Sequence, residues 1–238
     1  MYHPFSIAET FKTAWDITKK NFLSIAVYSA FLTFVLIIVQ LFNDFANLSS
    51  DSFTEFLVFL VLITIQSYTI MGFYKLIFTL IDSEYYEFNF SQIIPSIRMV
   101  LNFIIICILT GFAVVTLNII IEQTLQNYSD TVIKVARILE VMLIIYATVR
   151  YMFCACFIVD DNSGPVESLR QSRLLTKSHF LHLLFLISII VLVILMGFKT
   201  IGKTVLVLFP FVNVVLIVTY RKLVYSRMDV DDDVAETH

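Results

Sequence analysis

The sequence has few charged residues and few cysteines. Of its 238 residues, 15% are charged, and Cys107, Cys154 and Cys156 all lie in apolar segments. Free cysteines among apolar side chains are ordinary, so the sequence indicates no disulfide framework. It also lacks any spacing of Ser, His, Asp and Cys that is typical of nucleophilic catalysis. We therefore expect a protein with no enzymatic activity, no metal and no cofactor.

Long apolar runs take the place of charge. The chain is 59% hydrophobic, with a mean hydropathy of +0.88, which is more apolar side chain than a soluble domain of this size buries. A bilayer core about 30 Å thick is crossed by roughly 20 helical residues. The pattern predicts an all-α polytopic membrane protein with six spans and no cleaved signal. These spans are Phe22–Phe42, Phe56–Ile81, Met99–Ile121, one long helix over Asp130–Asp160, Phe180–Phe198 and Thr204–Tyr220.

Residues 4–21 read as an amphipathic helix that precedes the first span. Ser6 and Glu9 have the spacing of a capping box. One helical arc is apolar and the opposite arc is charged, as expected of a helix lying in the membrane interface. The apolar arc holds Ile7, Phe11, Ala14, Trp15, Thr18 and Phe22, and the charged arc holds Glu9, Lys12, Asp16, Lys19 and Lys20. The alternative is a helix that faces water and packs on a partner domain.

The stretch Asp160–Phe180 repeats this amino-terminal pattern. A shift of 158 residues places Glu9 on Glu167, Lys12 on Arg170 and Thr18 on Thr176. Each copy is a basic surface helix followed at once by an apolar segment. The chain therefore reads as repeated units of a surface helix and a membrane hairpin.

A middle copy is predicted by the order of its elements. An amphipathic helix carrying Phe90, Ile93, Ile94, Ile97 and Leu101 leads into the third span. The predicted units cover about residues 4–82, 88–161 and 162–228 of a single membrane domain, 1–228, and an acidic flexible tail covers 229–238. A basic residue precedes an aspartate near the end of each unit. These pairs are Lys75 and Asp82, Arg150 and Asp160, and Lys222 and Asp229.

The distribution of Lys and Arg predicts the orientation of the chain. Eleven of the sixteen lie on the side that holds both termini, four lie on the other side, and Arg150 lies within a span. Because cytoplasmic loops are enriched in Lys and Arg, both termini are predicted to be cytoplasmic.

Several short motifs give a resemblance to a known family. They are Asp160-Asp161-Asn162, Gly164-Pro165, Leu175-Thr176-Lys177, Gly72-Phe73-Tyr74-Lys75-Leu76 and Tyr220-Arg221-Lys222-Leu223. With these motifs the chain resembles bacterial inner-membrane proteins related to the membrane domain of some glycerophosphoryl diester phosphodiesterases. The resemblance implies a membrane fold in the bacterial inner membrane. The hydrolase domain of fused relatives is not expected here, because the sequence ends shortly after the basic cluster Leu223–Arg227.

Arg150 is the strongest candidate for a functional residue. A charge deep in a span costs about 2.5–3.5 kcal/mol on insertion scales, so it usually faces protein or water. The sequence offers Glu122, Glu140 and Asp160 as partners, and a lipid phosphate as another. A candidate intramembrane polar site therefore groups Arg150 with Glu140 and Asn118. The alternative is that Arg150 extends towards the cytoplasmic surface.

Other sequence patterns are weaker evidence for a functional site than Arg150. Gly197–Thr204 fits the phosphate-loop consensus but follows a membrane helix instead of a strand, so we expect a turn at the outer headgroups. His179 and His182 are spaced for a metal, without further ligands in view. The basic surface helices offer a stronger electrostatic feature, since anionic lipid attracts such cations. The predicted headgroup contacts are Lys12, Trp15, Lys19, Arg170, Arg173 and Lys177.

Two functions remain open from the sequence. The first is a scaffold, assembly partner or envelope-lipid factor, whose partners are membrane lipids and another membrane protein or a second copy, with no nucleic acid. The second is a small transporter or lipid-translocating protein that uses polar groups inside the bundle, around Arg150. The remaining polar groups are Gln66, Asn102, Asn118 and Asn213.

Overall fold

A computed structural model describes residues 6–46, 52–82, 92–126, 128–200 and 204–235. Within these ranges the regular structure is α-helical, with no strand, which confirms the predicted all-α class. The helices are α1 (Ile7–Lys20), α2 (Phe22–Ala46), α3 (Ser52–Asp82), α4 (Ile97–Leu125), α5 (Asp130–Tyr151), α6 (Cys154–Asp160), α7 (Pro165–Leu175), α8 (Phe180–Thr200) and α9 (Thr204–Ala235).

Five segments of these helices are each long and apolar enough to cross a membrane. They are Phe22–Asp44, Phe53–Asp82, Ile97–Leu125, Thr131–Asp160 and Leu208–Ser226. A sixth candidate is the pair α7 and α8, which are bent by 101° at the break between them. The lengths and compositions are those of a polytopic α-helical protein, as the apolar runs predict.

The helices that precede two of the spans begin at identifiable signals. The side chain of Ser6 accepts a hydrogen bond from the backbone N–H of Glu9, 3.5 Å away, so the Ser6 half of the predicted capping box is confirmed. Helix α7 begins at Pro165, directly after Gly164, where a residue without an N–H costs no hydrogen bond. Asn21 alone separates α1 from α2, so the surface helix leads straight into the span.

The buried core lies at the end of the bundle where α1, α6 and α7 are found. Tyr220 of α9 is fully buried there, between the rings of Phe78, Phe153 and Phe157 at centroid distances of 5.8, 5.9 and 5.0 Å. Helix α4 buries residues only in its first third, up to Ile106. The far halves of α4 and α5 are mostly exposed apolar surface, which suits contact with lipid.

Two predicted helices are wrong: the amphipathic helix before the third span and the unbroken helix over Asp130–Asp160. Residues 92–96 form a turn and extended backbone, so the predicted amphipathic helix before the third span is absent from the described part of that segment, and Phe90 lies outside it. Helix α4 starts only at Ile97, after Ser96, whose side chain accepts a hydrogen bond from Met99 N–H at 3.3 Å. Pro95 explains the late start, because proline disfavours a helical conformation in the residue before it.

The predicted single helix over Asp130–Asp160 is broken at Met152 and Phe153 into α5 and α6. At the carboxyl end, α9 continues as a helix to Ala235, through most of the segment assigned from the sequence to an acidic flexible tail. The phosphate-loop pattern lies partly outside the described residues, and α8 remains helical through Thr200, four residues into it.

Candidate functional site

The break between α5 and α6 is held by the hydroxyl groups of Ser172 in α7 and of Thr176, the residue that follows α7. Ser172 Oγ donates a hydrogen bond to the carbonyl of Arg150 at 2.9 Å and accepts one from the N–H of Phe153 at 3.2 Å. Thr176 Oγ1 lies 3.3 Å from the same carbonyl. Side chains inserted into the backbone ladder are a recognised cause of helix breaks. The surface helix α7 is therefore bonded into the span.

Arg150 itself makes contacts with neutral groups. Its Nε donates to the hydroxyl of Tyr146 at 3.2 Å, and its Nη1 donates to the carbonyl of Arg173 at 3.2 Å. The guanidinium carbon lies 5.5 Å from the ring centroid of Tyr146 and 5.8 Å from that of Phe180, within cation–π range. In the described part of the chain Arg150 forms no ion pair with a carboxylate. It stands where α5, α7 and α8 meet.

The predicted grouping of Arg150 with Glu140 and Asn118 is not what the structure brings together. Arg137 takes both of those partners: its Nη1 lies 2.6 Å from Asn118 Oδ1 and 2.8 Å from Glu140 Oε2. Its Nη2 lies 2.9 Å from Glu122 Oε1. Ten residues of helix separate Glu140 from Arg150, about 15 Å along the axis. The register in which α4 packs against α5 determines that Asn118 meets Arg137 and not Arg150.

The Arg137 cluster contains one buried and unsatisfied atom. Glu140 is 6% exposed, and its Oε1 has no hydrogen-bond partner. The spacing of Arg137 and Glu140 (i, i+3) and of Asn118 and Glu122 (i, i+4) was the available sequence signal, because each pair shares a helix face.

A second arginine, Arg221 of α9, joins the ends of two spans. It contacts Asp82, the last residue of α3, and its Nη1 lies 3.1 Å from the carboxylate of Asp160, the last residue of α6. Tyr220 donates its hydroxyl proton to Asp160 at 2.9 Å. The guanidinium also lies 4.9 Å from the ring centroid of Phe78. Two of the three aspartates in the predicted repeat thus converge on one cation that sequence reasoning missed.

Lysines beside this cluster are bound to other parts of the fold. Lys222 Nζ lies 3.5 Å from Glu9 Oε1, which joins α9 to α1, although the contact lacks hydrogen-bond geometry. Lys75 Nζ donates to the carbonyl of Ile94 at 2.8 Å.

Helices α1 and α7 bury equivalent positions under the shift of 158 residues. In α1 the buried residues include Ala14 and Thr18. The matching positions are Ser172 in α7 and Thr176 directly after it, and all four residues are at most 8% exposed. The position one helical turn earlier, Thr10 in α1 and Ser168 in α7, is also buried in each helix. Small side chains allow each helix to lie close against the bundle.

The predicted headgroup contacts are all exposed, on α1, on α7 and, for Lys177, two residues after α7. The exposed cations are Lys12, Lys19, Arg170, Arg173 and Lys177, and in the parts of the chain that the structure describes none of the five pairs with a carboxylate. Trp15 is 58% exposed, although the edge of its ring contacts Phe211 at a centroid distance of 5.9 Å. The buried stripe of α1 is therefore centred on its small residues and not on the indole.

Two groups at the ends of α7 have shifted pKa values. Burial, followed by the negative charge of Asp160, raises the pKa of Asp161, and Arg221 opposes this shift. Burial, followed by His182, lowers the pKa of His179. Among the described residues, no group of three or more His, Cys, Asp and Glu side chains is placed to hold a metal ion.

Comparison of the chain with models of known protein families, with curated protein sequences and with solved structures finds no match. The fold defines the chain only as an all-α polytopic protein, and its function has to be argued from the groups described above.

Proposed function

We propose that the chain is a non-enzymatic integral membrane protein that binds anionic lipid through two basic amphipathic surface helices, α1 and α7. It acts as a scaffold, an assembly partner or a lipid factor of the envelope. The resemblance to bacterial inner-membrane proteins supports a location in the inner membrane, and the distribution of Lys and Arg supports cytoplasmic termini.

The observation that carries this proposal is the matched build of α1 and α7. Each helix buries small residues against the bundle and presents cations on its exposed side. Each is followed at once by an apolar span, α2 or α8, which fixes the helix near one end of the bundle. The exposed cations of α1 and α7 together are called the basic surface, and they outnumber the exposed acids Glu9, Asp16 and Glu167 of the same helices.

The positive charge of the exposed Lys and Arg side chains favours anionic headgroups as the ligands of the basic surface. A Lys or Arg near an anionic membrane surface contributes about 1 kcal/mol of attraction. The contribution falls off within a Debye length, about 8 Å at physiological ionic strength, so only helices at the headgroup layer benefit. Exposed Trp15 beside these cations is suited to the same layer.

The test measures anionic lipid that purifies with the full chain. The chain is reconstituted into nanodiscs of phosphatidylcholine with a minor fraction of phosphatidylglycerol, extracted mildly, and its bound lipids are counted. The double variant Lys12→Gln with Arg170→Gln should lower the retained ratio of phosphatidylglycerol to phosphatidylcholine about fivefold or more, since each charge contributes about 1 kcal/mol. The control is Lys134→Gln. Lys134 lies near the start of α5, whereas α7 contacts the end of that helix, so this change should leave the ratio unchanged. Equal ratios in all three proteins would reject the proposal.

A transporter remains the second candidate, and the buried Glu140 is the observation that favours it. A carboxylate oxygen without a partner inside a span is costly and marks many ion pathways. Under this proposal the site is Arg137 with Glu140, and Arg150 is not part of it. Glu140→Gln should then abolish proton or cation flux into liposomes that contain the purified chain, while Glu55→Gln should not. Wild-type liposomes no leakier than empty ones would dismiss transport of these ions.

A further inference from the structure

A groove on the membrane-facing side of α2 and α3 has the size of a ligand site. It encloses about 590 Å³ and is lined by apolar and aromatic side chains, among them Leu23, Val27 and Phe31 of α2, Tyr68 of α3, and Ile94 in the connection to α4. Ligand sites in proteins enclose about 300–1,000 Å³. Leu23, Val27 and Phe31 are each more than half exposed, so the groove is open along its length.

The hydroxyl of Tyr28, which also lines the groove, is already bonded. It donates to the backbone carbonyl of Thr69 at 3.1 Å, and its ring stacks on Phe73 at a centroid distance of 5.6 Å. Such a wall offers dispersion contacts and little hydrogen bonding, which suits a hydrocarbon chain.

A polar cavity is lined by direct sequence neighbours of groove residues. Lys75 and Gln92 line the cavity, and the next residues along the chain, Leu76 and Ile93, line the groove. This cavity encloses about 530 Å³, and its lining includes Lys75, Asp82, Gln92, Asp160 and Arg221. The bond from Lys75 Nζ to the carbonyl of Ile94 links the two, because the side chain of Ile94 lines the groove.

Two cations and two anions line the polar cavity. Arg221 pairs with both Asp82 and Asp160, whereas Lys75 forms no ion pair in the described ranges. Asp82 is 48% exposed, so a part of its carboxylate stays accessible beside Lys75. One accessible cation next to one accessible anion complements a ligand that itself carries both charges.

We propose that the groove and the polar cavity together hold one zwitterionic aminophospholipid. An acyl chain lies in the groove between α2 and α3, the phosphate contacts Lys75, and the headgroup ammonium contacts Asp82. A primary ammonium donates hydrogen bonds to a carboxylate, which a choline headgroup cannot do. This site is separate from the basic surface of α1 and α7, and it selects a different headgroup.

A second groove in the fold provides an internal control. It encloses about 600 Å³ between α1, α8 and α9, and its lining is entirely apolar, with Phe11, Phe185 and Phe211 among its residues. An acyl chain entering it meets no charged side chain in the lining, so it should not distinguish the two zwitterionic headgroups, ethanolamine and choline.

The test uses photoactivatable phospholipids with a diazirine in the acyl chain. Wild-type full chain in vesicles receives a trace of ethanolamine, choline or glycerol headgroup probe, and labelled peptides are mapped by mass spectrometry. The ethanolamine probe should label Leu23–Phe31 more strongly than the other two probes. The two zwitterionic probes, ethanolamine and choline, should label the α1–α8–α9 groove equally. Equal labelling of Leu23–Phe31 by all three probes, or stronger labelling of Leu23–Phe31 by the glycerol probe, would overturn the proposal.

Two variants locate the headgroup and the chain. Lys75→Gln should lower ethanolamine-probe labelling of Leu23–Phe31 about fivefold, the equivalent of about 1 kcal/mol, whereas Lys134→Gln should not change it. Val27→Trp should fill the groove and remove the labelling there without affecting the second groove. Unchanged labelling in Lys75→Gln would contradict the assigned phosphate contact. If Val27→Trp does not fold, the comparison of probes on the wild-type chain still decides the matter. A failure of anionic-lipid retention by α1 and α7 would leave these results untouched.

Discussion

The hydroxyl of Ser172 is bonded to the carbonyl of Arg150, across 2.9 Å and between two different helices. Through this bond a short helix at the end of the bundle reaches the backbone of a membrane span. The helix of this span is interrupted where the bond is made. Arg150, one residue before the last of α5, directs its guanidinium to the same short helix.

Ser172→Ala should destabilise the fold. It removes the donor to Arg150 and the acceptor for Phe153 N–H, and both groups are left buried without that partner. We expect a loss of about 1–2 kcal/mol in unfolding free energy, between the value for membrane hydrogen bonds and the cost of unsatisfied buried groups. Unfolding in mixed detergent micelles measures it.

Ser188→Ala is the matched control for this variant. Ser188 lies in α8, and among the described residues its hydroxyl bonds only the carbonyl of Leu184 in its own helix. Its removal therefore takes no partner from a group of another helix. A loss no greater for Ser172→Ala than for Ser188→Ala would show that the interhelical bond does not hold the break.

Gly72 and Tyr28 should be energetically coupled. A Cβ at position 72 would overlap the Tyr28 hydroxyl oxygen, while the next ring atom, Cζ, would stay at 3.4 Å. Gly72→Ala should therefore cost about 1–3 kcal/mol, as overpacked cores do. In a Tyr28→Phe background most of that cost should disappear, and a double-mutant cycle of unfolding free energies measures the coupling. Additive effects would mean that the two residues do not meet.

Removal of Arg221 should be among the most destabilising single changes. Arg221→Gln leaves the carboxylates of Asp82 and Asp160 facing each other without their shared cation, and breaking a buried ion pair costs about 3–5 kcal/mol. We expect the lower end of that range, because Asp82 is 48% exposed. Tyr220→Phe removes only one neutral donor from Asp160 and should cost about 1 kcal/mol. The reverse order in chemical denaturation would contradict the assigned roles.

Asp161→Asn should stabilise the chain at neutral pH. Burial and the charge of Asp160 raise the pKa of Asp161 above its ordinary value of 3.8, so the folded state holds that proton more tightly than the unfolded state does. As pH rises through this window, ionisation of the folded state costs stability, and above the raised pKa the loss is complete. The variant should match the wild type below about pH 4 and exceed it increasingly as pH rises. A difference that is constant with pH would rule out this cause.

The spans were predictable because hydropathy and helix length depend on the local sequence alone. Ser6 at the start of α1 and Phe22 at the start of α2 needed no tertiary information. The break at Met152 and Phe153 could not be predicted without tertiary information, because its cause is the hydroxyl of Ser172, about twenty residues further along the chain. Pro95, in contrast, carried a local signal for a late start of α4.

The pairing of charges was only partly readable from the sequence. Arg150 was recognised as a charge inside a span, but its partners turned out to be neutral groups of α5, α7 and α8. Glu140 and Asn118 meet Arg137 because α4 and α5 are antiparallel neighbours at one register, which hydropathy does not specify. Asp82 and Asp160 meet at Arg221 because of how α3, α6 and α9 pack together, which hydropathy does not specify either.

The most direct test of the central proposal is the depth of Trp15, the only tryptophan of the chain. The wild-type chain is reconstituted in phospholipids brominated at different acyl positions, and quenching of the indole fluorescence is compared. If α1 lies in the headgroup layer, bromines near the headgroup should quench Trp15 most and bromines near the end of the acyl chain least. An emission typical of an indole in water, unaffected by bromine at any position, would contradict the account.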